Sequence, residues 1–177
     1  MKIHISILRG INVSGQKKIK MADLKALYEQ LGFKNVQTYI QSGNVVFERD
    51  ETNPKKLEQL IFDGIKKQYG FEVPNLILSP TEVEDALNKN PFKDIDKMYF
   101  TFLADIPTKE NIEKLYTYNF EEEYYELIGK VVYFHCPNGA GRAKMSNNFF
   151  ESKLKVMATS RNLNTTKKLL EMAKFTS

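Results

Sequence analysis

Cysteine occurs once in this 177-residue chain, at position 136, and a lone thiol excludes any intramolecular disulfide. Its surroundings, Tyr133-Phe134-His135-Cys136-Pro137, read as a strand end and not as a redox motif, so a reducing compartment is the simpler expectation. Histidine is nearly as scarce. His4 and His135 are the available imidazoles, and neither C-x-x-C nor H-x-x-x-H spacing surrounds them, so neither a metal nor another cofactor is expected. No apolar run reaches the roughly 18 residues that a membrane-spanning helix needs. The apolar start is broken by His4, Ser6 and Arg9 before it reaches the length of an export signal, so the expected location is the cytoplasm, with no membrane partner. Glycine and proline, at nine and six residues, are too few for a disordered or fibrous chain. What is present, 42% hydrophobic and 12% aromatic residues, suffices for a packed core throughout, and the length admits one large domain or two small ones.

The formal charge of +4 conceals three blocks. Residues 1–20 carry five basic and no acidic side chains, residues 81–126 five basic and twelve acidic, and residues 140–177 eight basic and two acidic. If folding joins the basic ends, they form a positive surface that attracts phosphates and weakens with salt; otherwise these are ordinary solvated lysines.

Along residues 2–8, Ile3, Ile5 and Ile7 alternate with Lys2, His4 and Ser6, the period of a half-buried strand. Met21, Leu24, Leu27, Tyr28 and Leu31 then recur at helical spacing, with Gly32 where a C-terminal cap belongs. Strands over 36–41 and 45–48 flank Ser42-Gly43-Asn44, where Gly and Asn tolerate the positive φ of a tight hairpin. Asn53-Pro54 opens a helix closed by Gly70, and a strand follows over 73–78, completing the order βαββαβ. Ser79-Pro80-Thr81-Glu82 is a capping box that starts a bridging helix. Past Asn90-Pro91 the order restarts: strand 98–104, helix 108–118, strands 124–128 and 131–136, helix 145–154, strand 156–159 and a last helix over 165–174 that Asn164 is placed to cap. The expected fold class is therefore α+β, two tandem ferredoxin-like (βαββαβ) plaits with a bridging helix and a C-terminal helix. The expected division is 1–79, then 80–97 as bridge and linker, then 98–177.

Three stretches are candidates for chemistry. The first, Arg9 to Lys18, joins a strand to a helix, where backbone N–H groups and the helix dipole favour anions; Arg9, Gly10, Asn12, Gly15 and Lys17 are its candidate ligand residues. It has neither G-x-x-x-x-G-K-[ST] nor G-x-G-x-x-G spacing, and Gly10 and Gly15 read first of all as turn formers. The second is the hairpin Gln41, Ser42, Gly43 and Asn44, richer in polar groups than a turn requires; these groups either bond a ligand or satisfy loop backbone. Ser42 lacks a G-x-S-x-G elbow, which argues against a serine nucleophile. The third is Arg161, Asn162, Asn164 and Thr165, a cationic fork beside a helix start. Tyr99 with Thr101, and Tyr133 with His135, are expected on the sheet face not covered by helices, as base-stacking platforms or as packing surfaces. The run Glu121-Glu122-Glu123 reads as the solvated start of a strand.

Leu8-Arg9-Gly10-Ile11-Asn12-Val13 with Gly15, Met21, Leu31-Gly32-Phe33, Tyr39-Ile40-Gln41-Ser42-Gly43-Asn44-Val45, and Arg161-Asn162-Leu163-Asn164-Thr165 together resemble the bacterial family called domain of unknown function 1697. The resemblance spans nearly the whole chain. It implies a tandem ferredoxin-like fold and assigns no activity. One departure stands out: the family's usual Arg-Asn-Trp is Arg161-Asn162-Leu163 here, which removes the indole that stacking at this place would need.

The leading expectation is a binding module whose three stretches meet around a phosphate-bearing small molecule or nucleic acid strand. Two alternatives stay open. One is an enzyme in the same cleft, with His4 or Glu48 as base, although no catalytic motif is recognisable. The other is a structural protein or homodimer joined through open sheet faces that carry Tyr99 and Tyr133.

Overall fold

A computed structural model describes residues 1–139 and 143–176 of the chain. The described residues form a mixed α+β protein with two four-stranded antiparallel sheets and six helices. Contacts divide it into two compact units, one of Met1–Glu84 with the segment from Lys167 onward, the other of Asp85–Thr166.

In the first unit the order is β1 (Lys2–Leu8), α1 (Met21–Gln30), β2 (Lys34–Tyr39), β3 (Asn44–Arg49), α2 (Pro54–Tyr69) and β4 (Asn75–Leu78), and the strands lie side by side as β2-β3-β1-β4. The alternation in β1 is present, but the strand is buried on both faces and not on one. The face bearing His4, Ser6 and Leu8 pairs with Phe47 and Val45 of β3 and turns toward the apolar cluster of Leu24, Tyr28, Leu57 and Ile61. The opposite face, with Ile5, Ile7 and Val46, is buried as well. Two polar side chains thus enter a core, and each has a partner: Ser6 Oγ lies 2.8 Å from the Tyr28 hydroxyl, and His4 Nε2 lies 3.3 Å from the Arg49 carbonyl. Burial pushes the Tyr28 phenol far above its ordinary pKa, so it remains a neutral hydroxyl. Stacked Phe33 and Phe47 rings, 4.3 Å apart, complete this aromatic centre.

The His4 setting has a pH consequence. Burial holds its pKa below the ordinary 6.5, against the upward pull of the Arg49 and Glu51 backbone hydrogen bonds. The unfolded chain then binds more protons than the folded one, so stability rises with pH. The His4 contribution is complete above the unfolded value of 6.5 and is lost as pH falls below it. Denaturation midpoints measured between pH 7.5 and 5 should decline, and His4→Gln should flatten that slope; an equal slope in the variant would place the sensitivity elsewhere.

Helix boundaries follow local chemistry. Asn53 accepts from Lys55 N–H ahead of Pro54, and Gly70 closes α2 in the left-handed region at φ 78°. The Ser79-Glu82 box is reciprocal at the start of α3 (Pro80–Asn88): Ser79 N–H donates to the Glu82 carboxylate at 2.7 Å, and Glu82 N–H donates to Ser79 Oγ at 3.1 Å.

The second unit repeats the element order as β5 (Met98–Leu103), α4 (Lys109–Leu115), β6 (Tyr124–Ile128), β7 (Val131–His135), α5 (Asn147–Leu154) and β8 (Ala158–Asn162), with strands side by side as β6-β7-β5-β8. Its core joins Leu103, Leu115, Val132, Phe134, Phe150 and Leu154, and Cys136 is buried within it. A polar chain crosses from sheet to helix: Thr101 Oγ1 lies 2.6 Å from Ser160 Oγ, which donates to Asn147 Oδ1 at 2.9 Å.

Two expectations need correction here. Tyr99 and Tyr133 do not share a face. Tyr99 pairs with Phe134 and packs on the helix-side cluster, whereas Tyr133 pairs with Phe100 on the opposite face, is 1% exposed and donates its hydroxyl to the Ala86 carbonyl. Neither is an open stacking platform. The last helix, α6 (Leu163–Phe175), starts earlier than expected and directly follows β8, so its cap is Asn162, whose Oδ1 accepts from Thr165 N–H at 2.8 Å, and not Asn164. Among the described residues no helix is long and apolar enough to cross a membrane, and no cluster of three His, Cys, Asp or Glu side chains is placed to hold a metal ion.

Candidate functional site

The loop after β1 is a folded finger. Arg9 N–H donates to the Pro74 carbonyl at 2.9 Å, and the chain then doubles back, with Asn12 N–H on Lys17 O at 3.2 Å and Gln16 N–H on Val13 O at 2.9 Å. Ser14 and Gly15, at φ 51° and 74°, occupy the centre of this turn, the paired positive values of a primed hairpin turn. Two of the loop's N–H groups therefore serve the turn itself. Lys17 reaches across to the Glu72 carbonyl at 2.7 Å, while Lys18 and Lys20 remain exposed.

Asn12 ties the finger to the β2–β3 hairpin. Its amide donates to Ile19 O at 2.9 Å and to Gln41 O at 2.8 Å, and its carbonyl accepts from Ile19 N–H at 2.9 Å. Asn tolerates the φ of 55° found there. In the hairpin the left-handed positions are Ile40 and Gly43, at 48° and 84°, and not Asn44. Asn44 belongs to β3, is fully buried, and donates to Tyr39 O and Ser42 Oγ, each at 2.9 Å. Ser42 and Asn44 thus brace the hairpin, and Gly43 O accepts from Leu8 N–H at 2.8 Å.

Finger and hairpin together wall a cleft of about 540 Å³, whose polar lining is Asn12, Lys18, Lys20, Asp23, Gln41 and Tyr69. The first two candidate stretches therefore meet within one unit, through Asn12, Gly15 and Gln41. The sequence reading included Lys18 in the first stretch without naming it as a ligand residue, and missed Lys20, Asp23 and Tyr69. Helix α1 begins at this cleft with Lys20 at its cap, and no side chain caps its first N–H groups. The Tyr69 ring stacks on Phe71 at 5.6 Å, and burial, assisted by the charge of Asp23, raises its phenol pKa.

The third stretch lies in the second unit. Arg161 is 8% exposed on β8 and donates to Thr159 Oγ1 at 3.1 Å and Ser160 O at 2.8 Å. Burial lowers its pKa to about 10, which still leaves it cationic near neutrality. Asn162 and Asn164 line a second cleft, of about 440 Å³, beside Lys97 and Tyr99, and Thr165 is buried at the first turn of α6. The base candidates His4 and Glu48 sit on β1 and β3, with His4 held at the Arg49 carbonyl.

Comparison with known proteins gives three results. A family model described as "Protein of unknown function (DUF1697)" matches residues 1–133, a span that ends before the Arg161 stretch. The structure of the conserved bacterial protein SP0830 from Streptococcus pneumoniae superposes with a TM-score of 0.72 at 24% sequence identity, covering 97% of this chain and 98% of that one. At that identity the likeness is one of fold. No curated protein matches the chain.

Proposed function

The chain belongs to the family of proteins of unknown function DUF1697, and from that premise we propose that its first unit is a binding module for a phosphate-bearing ligand or a nucleic acid strand, held in the cleft between finger and hairpin. The observation that carries this reading is the Asn12 clamp, which brings Lys18, Lys20 and the start of α1 against Gln41 and Tyr69. Two cations at a helix N-terminus are opposed by the helix dipole, and an anion bound there is attracted by both. Uncapped N–H groups offer donors to phosphate oxygens, and the Tyr69 ring offers a surface for a base. Gln41 and Asp23 supply a donor–acceptor amide and an acceptor for sugar or base edges.

We also read each unit as a ferredoxin-like plait. The repeated βαββαβ element order and the strand orders β2-β3-β1-β4 and β6-β7-β5-β8 support that reading.

The test is salt-titrated binding of a labelled single-stranded oligonucleotide, with inorganic phosphate and a free nucleotide as competitors. Lys18→Glu with Lys20→Glu should weaken binding by at least about tenfold at low salt and reduce the slope of log affinity against log salt by about 1.4, two single-strand phosphate contacts. Both side chains are exposed, so the fold should be unaffected. Affinity and slope unchanged in the double variant would remove the cleft from consideration. Competition by the free nucleotide alone would narrow the ligand to a small molecule.

A further inference from the structure

Away from that cleft, the second unit carries a groove of about 320 Å³ walled by Phe92, Tyr116, Phe120, Tyr124, Tyr125 and Glu123. Five aromatic rings around one surface groove are unusual, because exposed aromatics on a monomer are normally scattered. Tyr116 and Tyr124 are 46% and 51% exposed, so these two rings are presented outward, while Phe120 and Tyr125 pack partly on the unit's core.

Their positions are fixed from below. The Tyr125 hydroxyl lies 2.6 Å from the carbonyl oxygens of both Leu115 and Tyr118, which share its one proton, and its ring stacks on Tyr116 at 5.6 Å. The Tyr116 hydroxyl accepts from Leu127 N–H at 2.9 Å, on the open edge of β6. Tyr124 stacks one face on His135 at 5.8 Å and leaves the rest of its ring to solvent. Rings held this way lose little further freedom on binding, which favours recognition.

The segment that carries most of them is acidic. All the groove's walls except Phe92 come from residues 115–129, a stretch with Glu121, Glu122, Glu123 and Glu126 and no Lys or Arg. Aromatic faces beside carboxylates attract cations through both the ring quadrupole and the net charge. The chain already uses this chemistry next door, where Lys153 Nζ sits 4.7 Å from the centre of the Tyr118 ring.

We propose that this groove docks a lysine- or arginine-bearing peptide segment of a protein partner, with the aliphatic stem of the basic side chain along Phe120 and Tyr116 and its charge over Tyr124, next to the Glu121–Glu123 run. This site is separate from the phosphate cleft, and its chemistry is opposite in sign.

The chain contains no Trp, so the indole emission of a tryptophan-tagged Gly-Lys-Gly-Lys peptide reads binding without background. Saturable binding is expected, weakened by added salt and absent for the same peptide with Glu in place of Lys. Tyr124→Ala should weaken it by about tenfold, and Tyr124→Phe, which keeps the ring, should retain it within about threefold. Far-UV circular dichroism checks that both variants fold. Equal binding of the acidic peptide, or no change in Tyr124→Ala, overturns the proposal. So does displacement of the peptide by a single-stranded oligonucleotide whose own binding needs Tyr124, which would make the groove a nucleic-acid platform. Concentration-dependent dimerisation abolished by Tyr124→Ala would assign the surface to a second copy of the chain and equally overturn it.

Discussion

Gly43→Ala should destabilise the first unit by about 3 kcal/mol, more than any exposed substitution in the same hairpin. Two independent costs add. Gly43 adopts φ 84°, where a side chain costs about 1 kcal/mol relative to glycine. A Cβ there would also stand 2.7 Å from Leu8 Cβ and 2.8 Å from Ile11 Cδ1. Leu8 and Ile11 are themselves fully buried, so neither can retreat without disturbing the core, and overpacking of that kind costs about 1–3 kcal/mol. The same shift would stretch the Leu8 N–H to Gly43 carbonyl bond that ties the hairpin to β1. Urea denaturation followed by far-UV circular dichroism measures the loss. A change under about 1 kcal/mol would show that the hairpin moves outward freely and that its geometry is not fixed by β1. Gly10, by contrast, has nothing within 4 Å of an added Cβ, so Gly10→Ala should show the cost of its left-handed backbone alone.

Phe150→Ala should cost the second unit about 4 kcal/mol. Phe150 is fully buried on α5 and is surrounded by Phe134, Phe149 and Tyr125, with ring centres at 5.1, 5.3 and 5.8 Å. Its removal leaves a cavity lined by rings whose own positions are pinned, Tyr125 through two carbonyls and Phe134 through the β5–β7 ladder, so collapse around the void is limited. Six of the nine tyrosines, at 99, 116, 118, 124, 125 and 133, lie in this unit, so tyrosine emission during denaturation reports mainly on it. A fall below about 1.5 kcal/mol would mean that the aromatic cluster repacks and is not a rigid jigsaw.

Much of this architecture was legible because its signals are local. The Ser79-Glu82 box, Asn53-Pro54 and Gly70 mark their helix ends through contacts of a few residues, and each is found where the pattern puts it. Errors arose where a distant partner decided. Asn162 looked like a loop residue, but pairing of β8 with Tyr99 extends the strand to it and leaves no loop before α6, so the cap falls two residues earlier than Asn164. In β1 the alternation has the period of a half-buried strand; Tyr28 and the β3 register turn the His4–Ser6 side toward the helices, and Ile5 and Ile7 are buried on the other face as well. At the cleft, Asn12 stood in a candidate anion loop and Gln41 was a surplus polar residue of the hairpin, but Tyr69 carried only the signal of a helix end and Lys20 only that of a linker. Their approach to Asn12 is a tertiary fact that no spacing rule encodes.

Cys136 is 1% exposed within the second unit's core, and burial raises its thiol pKa to about 11. An alkylating reagent in neutral buffer therefore meets almost no thiolate and no accessible sulfur while that core is closed. Modification must wait for the unit to open, and because the chain has a single sulfhydryl, each adduct counts one opening event. The residue thus serves as a built-in clock for the spontaneous breathing of one half of the protein, readable by intact mass without any added label.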